Sequence, residues 1–310
     1  MIEYIEVINE AGDHLRLPLS NPWETGIAVM NIQGIGTTKA NINMTSYADS
    51  DLKKKNGVTL DTRNITLTLQ FLGTEIKSVE QLRDTAYVFF TPKKTIHFIV
   101  KTDNRFVGID GTVESNEPDI FSKDEQTQIS ILCEDPLWYD ETEKDTKRDD
   151  YDFNSLIPML EFPFSNESLT DELIVLGEIR HAPINAIDYP GEYDIGLSIT
   201  LHCSGIVIDP IIYCSRQNGY FKLNTALLAD IIPDADRFLT GDTITINTYN
   251  GSKSILLLRN GVVYNILHLL ASKSVWPILK TGKNEFRVDA KNGFEYLQIS
   301  YQYATGYLGI

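Results

Sequence analysis

The chain has 310 residues, of which 42% are hydrophobic and 23% are charged, as in an ordinary folded protein. Its formal net charge is -16 and both halves are acidic, which argues against non-specific nucleic-acid binding, because such binding depends on Lys and Arg neutralising phosphates. No apolar run approaches the roughly 18 residues of a membrane span. We expect neither membrane insertion nor a signal peptide, since Met1–Val7 has no basic region and no long apolar stretch.

The chain contains three cysteines, Cys133, Cys203 and Cys214. An odd number at wide spacing does not suit a disulfide framework, and free cysteine is among the residue types most often buried. We therefore expect buried free thiols and synthesis in a reducing compartment.

The first residues form two short apolar stretches separated by Gly12-Asp13, which predicts a hairpin. The segment 45–62 is polar and charged. It contains Lys53-Lys54-Lys55 followed by Asn56-Gly57, a strong hairpin-turn signal. A polar excursion of this length between two strands is either disordered or a contact arm, and the residues alone do not choose between these alternatives.

The clearest pattern in the first half runs from Asn64 to Phe90. Residues 64–71 alternate between apolar and polar side chains, which predicts a strand with one buried face. From Ser78 the apolar spacing changes to three and four residues, and Ser78 with Gln81 matches a capping box at the start of a helix. Thr91-Pro92 should end this helix, because the residue before proline avoids the helical conformation.

After the helix, the alternation predicts further strands over 95–101, 105–109 and 126–132. Residues 140–152 are nearly all charged or polar, and such a segment cannot bury enough apolar surface to offset its ordering entropy. It is the natural domain boundary, with an exposed hairpin tip as the alternative. We predict a ring-forming domain over 1–140, a linker over 141–152 and a second domain over 153–310.

The second half consists almost entirely of predicted strands and turns. Its clearest part is a three-strand meander joined by Asn250-Gly251 and Asn260-Gly261, each of which favours a type I′ turn. Residues 223–232 are compatible with a short helix. Many short strands with turn signals at roughly 8–12-residue spacing indicate a β-sandwich.

Motifs for catalysis and cofactor binding are absent from the sequence. There is no Gly-x-Ser-x-Gly elbow, no Walker loop, no Gly-x-Gly-x-x-Gly and no His-Glu-x-x-His. The segment 34–39 superficially resembles a phosphate-binding loop, but it lacks the second half of the motif and no helix pattern follows it. We therefore predict no enzyme activity, no catalytic residue and no cofactor.

Three further groups of residues suggest binding chemistry, and each has a commoner structural explanation. His202-Cys203 and Cys214 form the only His/Cys group, but their spacing does not suit a zinc site, which usually needs four closely spaced ligands. Carboxylates within 114–125 could pair as acid and base, although such pairs arise by chance among 43 acidic residues. Trp138 and Trp276 could stack on sugar rings, but a core position is favoured for both. We predict no metal site.

Several short motifs occur in a particular order along the chain. In the first half they are Gly34-Ile35-Gly36, Lys55-Asn56-Gly57, Arg63-Asn64-Ile65, Val79-Glu80 with Arg83, Phe90-Thr91-Pro92-Lys93, residues 111–121 and residues 129–136. In the second half they are Glu161-Phe162-Pro163-Phe164, residues 241–248, Gly282 with Asn284 and Phe286, and residues 301–310. This order resembles the distal tail proteins of siphophages, the siphovirus tail component family. The match covers nearly the whole chain and is weakest over 171–186.

The resemblance implies a mainly β protein. The N-terminal domain would be a β-sandwich or split barrel with one helix and an extended arm, and the C-terminal domain a galectin-like β-sandwich. Such a protein is a structural part of the virion tail tip, synthesised in the bacterial host cytoplasm. Six copies form a ring through the first domain.

The resemblance also implies partners. The hexameric ring would join the tail tube protein to the tail-associated hub protein, and its outward second domains can carry receptor-binding or baseplate proteins. DNA would meet the ring only in transit through the lumen, where we expect an acidic surface to favour passage by weak repulsion. The galectin-like shape does not itself imply sugar binding.

Two functions from other classes remain as alternatives. The first is a carbohydrate-binding adhesion module of a phage tail or tail-like particle, which would use the second domain. The second is a tail-associated hydrolase, which the missing catalytic motifs disfavour.

Overall fold

The computed structural model describes residues 1–47, 51–141, 149–151, 156–158, 177–179 and 185–310. The chain divides into two compact units. The first unit comprises Met1–Lys147 with Gly306–Ile310, and the second comprises Arg148–Thr305. The last five residues, which the sequence prediction places in the second domain, lie in the first unit because Gly306–Tyr307 pairs with a strand there.

The strands are, in chain order, β1 (Ile2–Ile8), β2 (His14–Pro18), β3 (Ile27–Gln33), β4 (Ala40–Ser46), β5 (Lys53–Leu60), β6 (Arg63–Phe71), β7 (Thr95–Thr102), β8 (Phe106–Asp119), β9 (Gln126–Cys133), β10 (Trp138–Asp140), β11 (Asp149–Tyr151), β12 (Leu156–Pro158), β13 (Gly177–Ile179), β14 (Asn185–Tyr189), β15 (Ser198–Cys203), β16 (Ile208–Cys214), β17 (Tyr220–Lys222), β18 (Thr243–Asn247), β19 (Ser254–Arg259), β20 (Val262–Asn265), β21 (Gly282–Asn292), β22 (Leu297–Tyr303) and β23 (Gly306–Tyr307). The α-helix is α1 (Val79–Phe89), and short 3₁₀ helices cover Pro22–Glu24, Thr225–Asp230, Leu267–Leu269 and Phe294–Tyr296.

The first unit is built on one antiparallel sheet with the strand order β2-β1-β7-β8-β9-β6-β3. β10 pairs with both β8 and β23. Leu17 on one edge strand and Ile27 on the other are buried in the same core. The sheet therefore curls around a single core, in agreement with the predicted split barrel.

The alternation predicted for residues 64–71 is confirmed in β6. Its four apolar side chains, Ile65, Leu67, Leu69 and Phe71, are buried, while the residues between them are half-buried or exposed. β6 pairs with β3 on one side and β9 on the other, so this strand lies in the interior of the sheet.

The predicted capping box is also confirmed. The Ser78 hydroxyl accepts a hydrogen bond from the backbone N–H of Gln81, and the Gln81 side chain accepts one from the backbone N–H of Ser78. Leu82 and Ala86 of α1 are buried in the core of the sheet. The helix ends ahead of Thr91-Pro92, as predicted.

The second unit contains a six-stranded sheet, β11-β22-β15-β18-β19-β20, and a four-stranded sheet, β14-β21-β16-β17. Aromatic side chains of the two sheets contact each other: Tyr189 packs edge-on against Tyr303 at 5.7 Å between ring centroids, and Phe286 lies 5.1 Å from Tyr301. The sheets therefore pack face to face, which confirms a mainly β fold with a sandwich in the second half.

One of the two predicted type I′ turns is confirmed. Asn260 and Gly261 both have positive φ, at 52° and 78°, between β19 and β20. At Asn250-Gly251 only the glycine does, and Asn247 and Ser254 are the last paired residues. The first connection is therefore a longer loop, and the type I′ prediction was wrong there.

All three cysteines are buried and free, as predicted. Burial raises the pKa of Cys133 and of Cys203 to about 12, so both thiols stay protonated near neutral pH and are poor nucleophiles.

Part of the predicted linker forms a strand. Residues 149–151 make up β11, which pairs with β22 of the second unit. The remaining predictions for 142–148 and 152–155, the motif 161–164 and most of the weakly matching segment 171–186 lie outside the described residues.

The capping box gives a direct test of the helix. Replacing Ser78 by Ala removes the acceptor for the Gln81 N–H, and we expect the free energy of unfolding of the first unit to fall by about 1 kcal/mol. Chemical denaturation followed by circular dichroism measures the change. Ser122→Ala, at an exposed loop position, is the matched control and should change stability by less than about 0.5 kcal/mol. Equal effects of the two substitutions would contradict the capping role.

Candidate assembly surface

Between β3 and β6 the chain leaves the curled sheet and forms a separate hairpin. β4 and β5 pair with each other as a two-stranded sheet of their own, from Ala40 opposite Leu60 to Ser46 opposite Lys53. Nearly all of their side chains are exposed. Of the two alternatives for this segment, the structure therefore favours an extended arm, and we call residues 40–60 the hairpin arm.

The turn of the hairpin arm is not where the sequence predicts it. Asn56-Gly57 lies inside β5, and the chain reverses between Ser46 and Lys53. The register shifts at Asn43/Met44, which leaves Asn56 as the extra residue of a β-bulge. A glycine inside a strand commonly marks such a bulge. Asn56-Gly57 therefore forms a bulge within β5 in place of the predicted turn.

The hairpin arm has one apolar face and one polar face. Register and strand alternation place Ile42 and Met44 of β4 on the same face as Val58 and Leu60 of β5. The opposite face carries Asn41, Asn43, Thr45, Lys54 and Thr59. Ile42, Met44 and Val58 are 48%, 55% and 43% exposed. A contiguous apolar face left in water is typical of an interaction surface.

Three consecutive lysines lie near the far end of the hairpin arm, close in the sequence to Asp49 and Asp51. Lys53, Lys54 and Lys55 are all exposed, in a chain whose net charge is -16. Tyr47 and Leu52, on either side of the reversal, are also exposed. A surface complementary to the arm would therefore combine apolar side chains with carboxylates.

The base of the hairpin arm is closed by hydrogen bonds. The Asp61 N–H donates to the Lys39 carbonyl at 3.0 Å. Arg63, which follows the arm, is 1% exposed, and its Nη1 donates to the carbonyls of Gly34 and Gly36, each at 2.5 Å. Both chain segments that lead into and out of the arm are thus held by the same guanidinium group.

Arg63 has further partners from distant parts of the chain. Its Nε donates to the Pro136 carbonyl at 2.9 Å and its Nη2 to the Leu308 carbonyl at 2.8 Å. The guanidinium carbon lies 5.4 Å from the ring centroid of Trp138. Burial lowers the pKa of Arg63, but arginine remains charged in proteins. Four charge-assisted hydrogen bonds and an aromatic face offset the cost of burying this charge.

The loop 34–39, which superficially resembles a phosphate-binding motif, provides carbonyl acceptors for the hydrogen bonds of Arg63. Gly34 has φ +83°, and a Cβ at this position would lie 2.0 Å from the Asn64 carbonyl oxygen. Only glycine fits this backbone conformation and close approach. The loop presents carbonyl oxygens to a cation, whereas a phosphate site presents backbone N–H groups.

The first unit contains a second cluster of charged side chains, formed by His97, Asp110 and Glu141 close to the predicted domain boundary. His97 Nδ1 lies 2.6 Å from Asp110 Oδ1, and His97 Nε2 lies 3.2 Å from Glu141 Oε1. Burial lowers the pKa of His97, but the hydrogen bonds and charges of Asp110 and Glu141 outweigh it and raise the pKa to about 9. Gly108 leaves the space, since a Cβ there would approach both His97 and Glu141 within 3 Å. A protonated His97 thus ties Glu141 to the sheet.

His202 and Cys203, for which the sequence favours structural positions over a zinc site, do not come together as ligands. His202 is exposed and its Nδ1 lies 3.1 Å from Thr243 Oγ1, while Cys203, the next residue of β15, is buried on the other face. Over the described ranges, no group of three His, Cys, Asp or Glu side chains could hold a metal ion. Likewise, no helix in those ranges is both long and apolar enough to cross a bilayer.

The remaining candidates take structural positions. Trp138 is fully buried in the core of the first unit, as favoured. Trp276 is half-buried and packs against Phe221 at 5.3 Å between ring centroids. Among the carboxylates within 114–125, Glu125 pairs with Arg83 at 2.9 Å. The hairpin arm and its Arg63 base are therefore the features that point most clearly to a function.

Comparison with known proteins supports the fold assignment. No protein-family model matches the sequence, and no curated protein is significantly similar to it. The crystal structure of the Dit protein of phage SPP1, described as a paradigm of the hub adsorption apparatus in phages that infect Gram-positive bacteria, shares 11% sequence identity. It covers 97% of this chain and 98% of its own, with a TM-score of 0.61. The chain has the fold of SPP1 Dit.

Two further solved structures, of the phage p2 baseplate in its activated conformation, match with lower scores. One shares 12% identity over 96% of this chain and 97% of its own, with a TM-score of 0.43. The other shares 12% identity over 98% of both chains, with a TM-score of 0.44. At these scores the similarity adds nothing to the argument.

The structure also brings together motifs on which the resemblance to distal tail proteins rests. One set of hydrogen bonds joins four separate places in the sequence: Gly34-Ile35-Gly36, Arg63, Pro136 and Leu308. Sequence reasoning did not predict the role of Arg63, because an arginine before an alternating strand ordinarily lies in solvent.

Arg63→Lys tests the base of the hairpin arm. A lysine keeps the charge but has a single nitrogen, which cannot reach four carbonyls in a planar fork. Because buried carbonyls would lose their donor, we expect the free energy of unfolding of the first unit to fall by about 2–4 kcal/mol. Arg83→Lys, which can still pair with Glu125, should cost less than about 1 kcal/mol. Chemical denaturation of both variants measures the difference, and similar losses would contradict the special role of Arg63.

The His97 cluster predicts a pH dependence. Its folded pKa is about 9, against roughly 6.5 unfolded, so its contribution is fully present below about pH 6.5 and is lost as the pH rises through 9. We expect His97→Gln to remove a decline in stability on the order of 1–2 kcal/mol between these pH values. Denaturation at several pH values measures it. His14→Gln, on the exposed β1–β2 hairpin, should keep the decline, and a decline that persists without His97 would refute the prediction.

Proposed function

We propose that this chain is a structural component of a phage tail tip, a hub that assembles with copies of itself into a ring through its first unit. The observation that carries the proposal is the uncovered apolar face of the hairpin arm, on a chain with the fold of a phage hub protein. No enzymatic step is part of this role.

Physical reasoning supports an assembly role for the hairpin arm. A two-stranded hairpin is marginally stable by itself in water, and here one face exposes Ile42, Met44 and Val58. Covering these side chains would gain roughly 25 cal/mol for each Å² of apolar surface removed from water. A partner surface that covers the apolar face would therefore stabilise the hairpin arm.

The proposed ring is a closed cyclic assembly of six copies. In such a ring each contact is heterologous, with one patch of a protomer meeting a different patch of the next. The hairpin arm is one patch. The resemblance to distal tail proteins suggests the number of copies and the neighbours: a tail tube protein on one side, a tail-associated hub protein on the other, and receptor-binding or baseplate proteins at the second unit.

The proposal places the protein in the virion tail tip, after synthesis in the host cytoplasm, with no insertion into a membrane. DNA would pass through the lumen without being held, and an acidic lumen would favour that passage. The second unit would be the galectin-like domain of the family. The division into a ring-forming first domain and a second domain stays part of this proposal, with the last five residues assigned to the first unit.

A paired substitution tests the hairpin arm as the assembly surface. Ile42 and Val58 face each other across the strands, and the variant Ile42→Glu with Val58→Lys places two charges on the apolar face without changing the net charge. Because charges buried in an apolar contact cost several kcal/mol, we expect the ring to dissociate. Mass photometry and negative-stain imaging should then show protomers of 35.0 kDa in place of six-fold particles.

The matched control carries the same change on the other face. Asn41 and Thr59 form the neighbouring cross-strand pair, and Asn41→Glu with Thr59→Lys introduces the same two charges on the polar side. This variant should keep the ring. A wild-type chain that stays monomeric at all concentrations would overturn the proposed function. Rings in the apolar-face variant would exclude the hairpin arm as the contact.

A further inference from the structure

One ion pair of the first unit joins two strands that do not pair with each other. His97 lies on β7 and Glu141 directly follows β10, while β8 runs between these strands and pairs with both. The contact between His97 Nε2 and Glu141 Oε1, at 3.2 Å, therefore crosses β8. It crosses at Gly108, where a Cβ would lie 2.7 Å from Nε2 and 2.8 Å from Oε1. We call the His97–Glu141 contact the boundary ion pair.

Each member of the boundary ion pair compensates the burial of the other. The side chain of Glu141 is 12% exposed and that of His97 is 23% exposed. Within the part of the chain that the structure describes, His97 Nε2 is buried and no well-aligned hydrogen bond satisfies it. Because burying a charge is costly unless an opposite charge faces it, the imidazolium and the carboxylate hold each other in position.

The charges around His97 decide when the boundary ion pair exists. Asp110 lies opposite His97 on β8 and contacts its Nδ1 at 2.6 Å. On the other side, β1 places the uncharged Ile8 opposite His97. The nearby carboxylates of β1 and the following turn are engaged in the pairs Glu6–His14 and Glu10–Lys94. Burial lowers the pKa of His97, but Asp110 and Glu141 raise it to about 9. The ion pair is therefore present at neutral pH and is lost as the pH rises through 9.

The strand β10 holds both ends of the first unit to which the second unit is attached. The second unit runs from Arg148 to Thr305, so its covalent connections leave the first unit after β10 and before β23. These two strands have three and two residues. They pair with each other, with Gly306 opposite Tyr139. One short pair of strands therefore anchors both connections.

The two ends of β10 are anchored differently. Trp138, its first residue, is fully buried and packs against Phe98 at 6.3 Å between ring centroids. Beyond it, pairing with β8 continues for only two residues, and the Glu141 N–H donates to the Phe106 carbonyl at 2.8 Å. Strand ends held by few contacts are the parts of a fold that open most easily. The boundary ion pair lies at this weaker end.

We propose that the boundary ion pair controls a local opening of residues 139–141 together with Gly306. When His97 loses its proton, the end of β10 separates from β8, and Gly306, opposite Tyr139, separates with it. The buried Trp138 stays in place and limits the opening. The three residues released from β10 lengthen the first connection by up to about 10 Å, at roughly 3.3 Å for each extended residue. The first unit thus contains a charge-controlled device that sets the length of its connections to the second unit.

Gly108→Ala tests the geometry without removing a charge. The added Cβ takes the space between His97 and Glu141, so we expect hydrogen–deuterium exchange of residues 139–141 at pH 7 to become about tenfold faster. His97→Gln should give a similar increase. The two substitutions combined should exceed neither by more than about twofold, because both break the same contact. Mass spectrometry of overlapping peptides measures the exchange, and the peptide that contains Gly306 should change with them.

Two control variants keep the boundary ion pair. Asp110→Asn leaves Glu141 beside His97, and His14→Gln changes an exposed histidine elsewhere in the first unit. Both should retain wild-type exchange at pH 7. In the wild type the protection factor of residues 139–141, which corrects for the intrinsic effect of pH on exchange, should fall about tenfold between pH 7 and pH 10. In Asp110→Asn this fall should occur at lower pH, because a carboxylate that raises the pKa of His97 is lost.

Several outcomes would overturn the inference. Wild-type exchange at pH 7 in either Gly108→Ala or His97→Gln would do so, as would faster exchange spread evenly over the whole first unit. Faster exchange of residues 139–141 with Gly306 unchanged would refute the coupling of the two connections. Thermal denaturation shows whether each variant is folded. If Gly108→Ala does not fold, Glu141→Gln takes its place, since it removes the charge at nearly the same shape. The proposed function is tested separately, because none of these measurements depends on ring formation.

Discussion

A single buried charge organises the first unit. Arg63 is enclosed by the protein and donates to four backbone carbonyls, while the ring of Trp138 lies beside its guanidinium plane. A charge in this position is tolerated only when its donors are satisfied. The demand for acceptors fixes the loop before the hairpin arm, the segment after β9 and the C-terminal residues in one place. Backbone hydrogen bonds also join them, because β10 pairs with β23 and the Ile310 N–H donates to the Ile35 carbonyl at 3.2 Å.

The hairpin arm is anchored at its base, but its apolar side chains remain exposed. The base of the hairpin arm is held by the Arg63 hydrogen bonds and by the backbone bond between Asp61 and Lys39, whereas the arm itself exposes apolar side chains. A surface that binds well should lose little conformational entropy on binding. Anchoring the base reduces that loss while the apolar face stays available. An anchored base and an exposed apolar face are the properties that the proposed contact between copies requires.

Local patterns in the sequence predicted much of this structure. The alternation of β6, the capping box of Ser78 and the turn at Asn260-Gly261 depend on residues close together in the chain, and all three are confirmed. The turn expected at Asn56-Gly57 was wrong, because the dipeptide suits a bulge once the partner strand fixes the register.

The sequence could not reveal the features that depend on distant residues. The burial of Arg63 requires partners up to 245 positions away, and no pattern near Arg63 in the sequence indicates which residues these are. The two faces of the hairpin arm depend on which residues oppose each other across the bulge, and a pattern within one strand does not contain that information.

The return of the last five residues to the first unit changes how the second unit is attached. Since Gly306–Ile310 belong to the first unit, the second unit is an insertion within the first, with two covalent connections to it. A mechanical force on an inserted unit is shared by its two covalent connections. Pulling on the second unit would also load β23 and, through Leu308, the guanidinium of Arg63. Force applied to one unit would therefore reach the buried charge that secures the base of the arm.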